Sequence, residues 1–146
     1  MSNGFKVSLT AARPALLAAE NNTVDVLARI QAPDAPGEGL PERPRLNLAV
    51  VIDRSGSMAG EPLRKAKQAA RFMIDSLKPT DRACVVAYDD KVKVVAPSRP
   101  VEDKAPFRAA IEAIEAGGST DLHGGWLGGA DEAAPHIRPN AISRVL

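Results

Sequence analysis

At 146 residues the chain has the length of one domain, long enough to bury about two thirds of the surface its unfolded form would expose. Its 19 Lys and Arg nearly balance 18 Asp and Glu, and a net charge of +1 gives no electrostatic case for nucleic acid or for an acidic membrane as partner. No apolar run is long enough to cross a bilayer, the amino terminus lacks the apolar core of a signal peptide, and Cys84 has no second cysteine to pair with, which together predict a cytoplasmic protein in a reducing compartment.

In chain order, Phe5, Val7 and Leu9 alternate with polar residues, and Val24, Val26, Ala28 and Ile30 do so again. The pattern predicts two half-buried strands, with Arg13-Pro14 and Asn21-Asn22-Thr23 as turn chemistry between them. Residues 32–45 carry Pro33, Pro36, Pro41 and Pro44, the composition of an extended linker. The expected organisation is a strand segment over 1–31, a Pro-rich linker over 32–45 and an α/β body over 46–146.

Leu46 to Ile52 is apolar and rich in β-branched residues on both parities, the mark of a parallel strand buried on both faces. It ends at Asp53. After a polar loop, Leu63, Ala66, Ala70, Met73 and Leu77 recur at helical intervals, with Pro62 in the first turn and Pro79 beyond the end. Arg82 to Tyr88 reads as a second parallel strand with Cys84 in its core. Asp89-Asp90 is then a solvated turn, and Val92 to Ala96 a short antiparallel edge broken by Pro97 and Pro100. Asp103 caps a second helix carrying Phe107, Ala110, Ile111 and Ile114 on its buried face, and Gly117-Gly118 ends it. Leu122 to Ala134 reads as a third helix weakened by four glycines, with Trp126 in core or helix packing, and Ala141 to Leu146 opens a fourth strand.

The loop after the first strand, Asp53-Arg54-Ser55-Gly56-Ser57, spaces three oxygen side chains by two residues, so a loop curling at Gly56 can aim them at one centre. Oxygen alone faces that centre, which selects a hard cation such as Mg²⁺, Mn²⁺ or Ca²⁺ over zinc. Asp and Ser are also what a strand-to-helix turn prefers for capping, so the loop alone leaves both readings open. In an open α/β sheet, however, the carboxyl end of a strand is the usual ligand site.

These residues resemble the first motif, D-x-S-x-S, of the metal-ion-dependent adhesion site in von Willebrand factor A domains. Asp81 to Tyr88 resembles that family's second strand, and Gly117-Gly118-Ser119-Thr120-Asp121 the loop that supplies its threonine. The resemblance covers residues 46–146. It implies a doubly wound, Rossmann-like, mainly parallel sheet with flanking helices, in the strand order 3-2-1-4-5-6, preceded by two strands of an incomplete β-sandwich. It further implies Ser55, Ser57 and Thr120 as metal ligands, with Asp53 binding directly or holding a coordinated water. The family's third motif, an aspartate, would fall just past Leu146, so the chain reads as a fragment, or as one completed by another copy or another polypeptide through the open fourth strand. With one carboxylate and three hydroxyls, weak Mg²⁺ binding is expected.

Of the remaining polar groups, Asp121 reads as a helix cap, the glycine pair lacks the Gly-Lys-Ser/Thr of a nucleotide loop, and His123 and His136 share no ligand spacing. The leading expectation is a non-enzymatic module whose under-neutralised metal takes an acidic residue from a protein partner. One alternative is a Mg²⁺-dependent hydrolase with Asp53 as nucleophile, although Ser55 stands where its general acid would be needed. Another is a metal-inactive piece of a larger protein.

Overall fold

The computed structural model describes residues 6–11, 24–31 and 42–146. The expectations for Phe5, for the turn residues between the first two strands and for most of the Pro-rich segment lie outside the described residues. The chain divides into two compact units, Met1–Glu42 and Arg43–Leu146.

In the first unit, β1 (Lys6–Ala11) and β2 (Val26–Gln31) pair antiparallel with Leu9 opposite Ala28. Both strands form where alternation places them. Neither is half-buried as expected, because every residue of the two strands is exposed. Among the described residues of this unit the ribbon has no further strand or helix against which alternation could bury a face.

The second unit holds a four-stranded sheet in the order β5-β4-β3-β6, flanked by three helices. Its strands are β3 (Arg45–Asp53), β4 (Arg82–Tyr88), β5 (Val92–Pro100) and β6 (Ala141–Val145). β3 runs parallel to both β4 and β6, and β5 closes the other edge antiparallel to β4. This is the doubly wound, mainly parallel α/β fold, and its order agrees with the first four strands of 3-2-1-4-5-6. The outer side of β6 has no strand partner among the described residues.

The two parities of β3 are buried for different reasons. Leu48, Val50 and Ile52 pack with Ala83, Val85 and Ala87 of β4 under α1 (Glu61–Ser76) and α2 (Ala105–Glu112), which contribute Leu63, Ala70, Ile74, Phe107 and Ile111. Ala49 and Cys84 face the opposite way, toward Ala133 of α3 (Leu122–Ala133). That side is lined with small residues so that the helix can lie close. A Cβ added at Gly125 would run into the Tyr88 ring, and one added at Gly129 would meet Val51 and Val145. The glycines cost helix propensity but admit the approach. They also decide between the two readings of Trp126: with Gly125 and Gly129 against the sheet, Trp126, one residue or about 100° on from Gly125, is 54% exposed and lies outside the core.

Two further boundaries differ. β5 continues through Pro97 to Pro100 instead of breaking at Pro97. It is an edge strand with register shifts opposite Ala83 and Val85, and an edge tolerates residues that lack an N–H. α2 begins at Ala105, whose N–H donates to Asp103, and it ends at Glu112, several residues before the glycine pair.

At the opposite end of the sheet from Asp53, fully buried Asp81 accepts hydrogen bonds from the N–H groups of Leu46 and Lys78 and pairs with the Arg43 guanidinium. Burial pushes its carboxyl up, but these donors outweigh it and hold the pKa below its ordinary 3.8. A depressed carboxylate contributes stability that is fully present above the ordinary value and lost as pH falls through the lower folded one. Urea titrations from pH 6 to pH 2.5 are therefore expected to show an acid loss in the wild type that is smaller in Asp81→Asn. The variant is expected to be weaker by about 1–3 kcal/mol at neutral pH. Burial, with the charge of Glu132, pushes the Cys84 thiol up to about 12. A thiol reagent at pH 8 is accordingly expected to modify Cys84 only in denaturant, and rapid modification of the folded chain would contradict its place in the core.

Candidate metal centre at the carboxyl end of the central strand

Asp53 closes β3, half-buried, beside Tyr88 at the end of β4. One oxygen of its carboxylate accepts the Ser55 N–H at 2.8 Å, which folds the loop back over the strand end. Gly56–Met58 then makes a single tight turn before α1. This fold-back buries Ser55 and brings its hydroxyl to 3.2 Å from that of the exposed Ser57. Tyr88 senses the same corner: burial, and then the charge of Asp53, hold its phenol above the usual value.

Thr120 comes from the segment between α2 and α3, and backbone hydrogen bonds fasten that segment to the first loop. Gly56 N–H donates to Gly118 C=O at 3.0 Å, and Gly117 N–H donates to Arg54 C=O at 2.8 Å. Asp121 N–H donates to Asp89 C=O at 2.7 Å, while the Asp121 carboxylate caps α3 through Gly124 N–H, the capping role read from sequence. Thr120 is thus exposed between two anchored residues, one tied to each neighbouring loop. All four residues singled out from the sequence, Asp53, Ser55, Ser57 and Thr120, lie on loops joined at one end of the sheet.

The donor set suits a hard cation. The Ser55 and Ser57 hydroxyls share a hydrogen bond at 3.2 Å, a spacing that neighbouring oxygens on Mg²⁺ (about 3.0 Å) or Ca²⁺ (about 3.4 Å) would also have. Among the described residues no group of three or more His, Cys, Asp and Glu is placed to hold a metal. His123 is exposed, and His136 lies beyond α3 with its pKa lowered by burial and by Arg82 and Arg138.

Asp89 departs from expectation. The sequence reads it as a solvated turn residue pointing away, yet it is 4% exposed. Its carboxylate accepts the Lys91 N–H at 2.9 Å and pairs with Arg54 at 2.8 Å; these donors, Lys91 first, hold its pKa below the usual carboxylate value. Asp90 remains exposed, and its side chain and that of Asp89 both lie against Gly118. Sequence reading missed Arg54 and Asp89 as partners because neither position matches a ligand pattern; the one signal was an arginine set inside a motif of neutral and acidic residues.

With this geometry in view, the family model for the von Willebrand factor type A domain matches residues 48–146, and the chain belongs to that family. Among its relatives are protein sll0103 of Synechocystis, 43% identical over 89 residues that make up 61% of this chain and 21% of the relative, and YfbK of Escherichia coli, 31% identical over 84% of this chain and 20% of the relative. The chain therefore spans about a fifth of the length of these curated relatives. A solved von Willebrand factor type A protein from Catenulispora acidiphila shares the fold with a TM-score of 0.61 at 21% identity, over 97% of this chain and 32% of that one. The vWF domain of the type V pili tip protein Mfa5 from Porphyromonas gingivalis does so with 0.60 at 19% identity, over 69% and 36%.

Gly118 has φ +65°, and a Cβ there would collide with the Asp89 and Asp90 side chains; Gly60 has φ +80° with nothing within 4 Å of an added Cβ. Both positions favour glycine, but only one is also crowded. Gly60→Ala is expected to lower stability in urea by about 1–3 kcal/mol from backbone strain alone, and Gly118→Ala by clearly more. Equal losses would show that the Gly118 loop is free to move aside.

Proposed function

We propose that the chain is a divalent-metal-dependent protein-binding module, with Ser55, Ser57 and Thr120 as hydroxyl ligands and Asp53 as the carboxylate of the site. The observation that carries this reading is the fastening of the Thr120 loop to the Asp53 loop through Gly56 and Gly118, with the Ser55 and Ser57 oxygens already at the spacing of neighbouring ligands. A bound Mg²⁺, Mn²⁺ or Ca²⁺ would supply an electrophilic centre for a partner's Asp or Glu. The chain's own groups offer one carboxylate and three neutral hydroxyls, so much of the ion's charge stays uncompensated and an outside carboxylate is favoured. That a fold neighbour is the tip protein of a pilus is in keeping with a binding role.

Titration calorimetry with Mn²⁺ at neutral pH is expected to give saturable binding at one site. Thr120→Ala should weaken it by at least tenfold, and Asp53→Ala should abolish it, with circular dichroism unchanged in both. A wild-type chain that takes up no Mn²⁺ would refute the metal reading. Peptides displaying a single Glu are expected to be retained in Mn²⁺ and released by chelator, and retention that survives chelator would refute the role assigned to the metal.

A further inference from the structure

Resting on that reading, we infer that Arg54 and Asp89 act as a positioning clamp that sets where Thr120 stands relative to Asp53, Ser55 and Ser57. Arg54 lies between two proposed ligands in sequence, yet its side chain turns away from them to bind both neighbouring loops. Its guanidinium pairs with Asp89 at 2.8 Å, at the end of β4, and reaches Glu115 C=O at 3.5 Å, in the segment leading to Thr120. Its backbone does the same, with N–H donating to Tyr88 C=O and C=O accepting from Gly117. Asp89 returns the tie from the other side, since its C=O receives the Asp121 N–H. One ion pair and three backbone bonds thus join all three loops, and Thr120 sits between two of the fastened residues.

The pair is an expensive way to hold a surface loop. The two side chains are only 25% and 5% exposed, and Arg54 Nε is buried with no hydrogen-bond partner. Removing two charges from water while leaving a donor unpaired gives little net stability, and an apolar pair would serve packing as well. A planar guanidinium offers direction instead: it meets Asp89 and Glu115 from one rigid fork, fixing the angle between their loops.

The clamp makes a claim opposite in sign to simple electrostatics. Arg54 is a cation beside a cation site, so if charge alone mattered its removal would strengthen metal binding. Positioning requires the reverse. Titration of Arg54→Met with Mn²⁺ is expected to show binding weakened about 10- to 100-fold. Arg54→Lys, which keeps the charge but loses the fork, should weaken it nearly as much. In the metal-free chains, amide hydrogen exchange at Gly117 and Asp121 should be faster in Arg54→Met than in the wild type, while exchange in β3 and β4 stays unchanged. Binding by Arg54→Met equal to or tighter than wild type would overturn the clamp. So would unchanged exchange at Gly117 and Asp121, and that result decides the question even if the wild-type chain binds no manganese, an outcome that refutes the metal reading separately.

Discussion

The site depends on where the backbone of one residue, Arg54, sends its hydrogen bonds as the central strand leaves the sheet. Inside the sheet β3 is paired with β4 from Asn47 to Asp53 and with β6 from Arg45 to Ala49. At Asp53 that ladder ends, and a buried peptide group without a partner would cost about as much as a lost hydrogen bond. Here the Arg54 N–H finds Tyr88 and its C=O finds Gly117, so the ladder is in effect continued by loops. The arrangement at the strand end follows from this: the same bonds that satisfy the peptide leaving β3 also hold the loop of Thr120 against that of Asp53.

The opposite face of the sheet supplies the second half of the arrangement. α3 carries almost no large residue on its inner side, and its glycines let it settle against Tyr88, Val51 and Val145. A helix held this close brings its own N-terminus, capped by Asp121, up to the end of β4. Asp121 N–H then reaches Asp89 C=O. Low helix propensity in α3 is therefore the counterpart of a short, well-anchored loop. The α1 and α2 side works differently, with Phe107, Ile74 and Ile111 filling a conventional core. One face fixes the unit's stability, the other its geometry at the strand ends.

Much of this was legible in the residues. The double-faced apolar run of β3 and the helical spacing of α1 are local signals, and they located those elements; the four proposed ligands come instead from the resemblance of the Asp53 and Thr120 loops to the family's motifs. What was not legible depends on tertiary partners. Asp89 looks like a turn residue because its neighbour Asp90 is one; only the fold shows that Arg54 reaches across to bury it. Trp126 looks like core or helix packing because it is large, but the glycines beside it decide which side of α3 meets the sheet. Pro97 and Pro100 look like strand breakers until β5 is seen to lie at an edge. In β1 and β2 alternation marks the strands but not their exposure, since it records which face could be covered, not whether a face is covered.

The central claim is that hydroxyls from two fastened loops converge on one hard cation at the end of β3. Anomalous diffraction from crystals of the chain grown with manganese addresses it most directly. A single peak within about 2.3 Å of the Ser55 and Ser57 oxygens, with Thr120 turned toward it, is the result the account requires. A manganese peak elsewhere on the chain, with the Ser55 and Ser57 hydroxyls still bonded to each other, would contradict it.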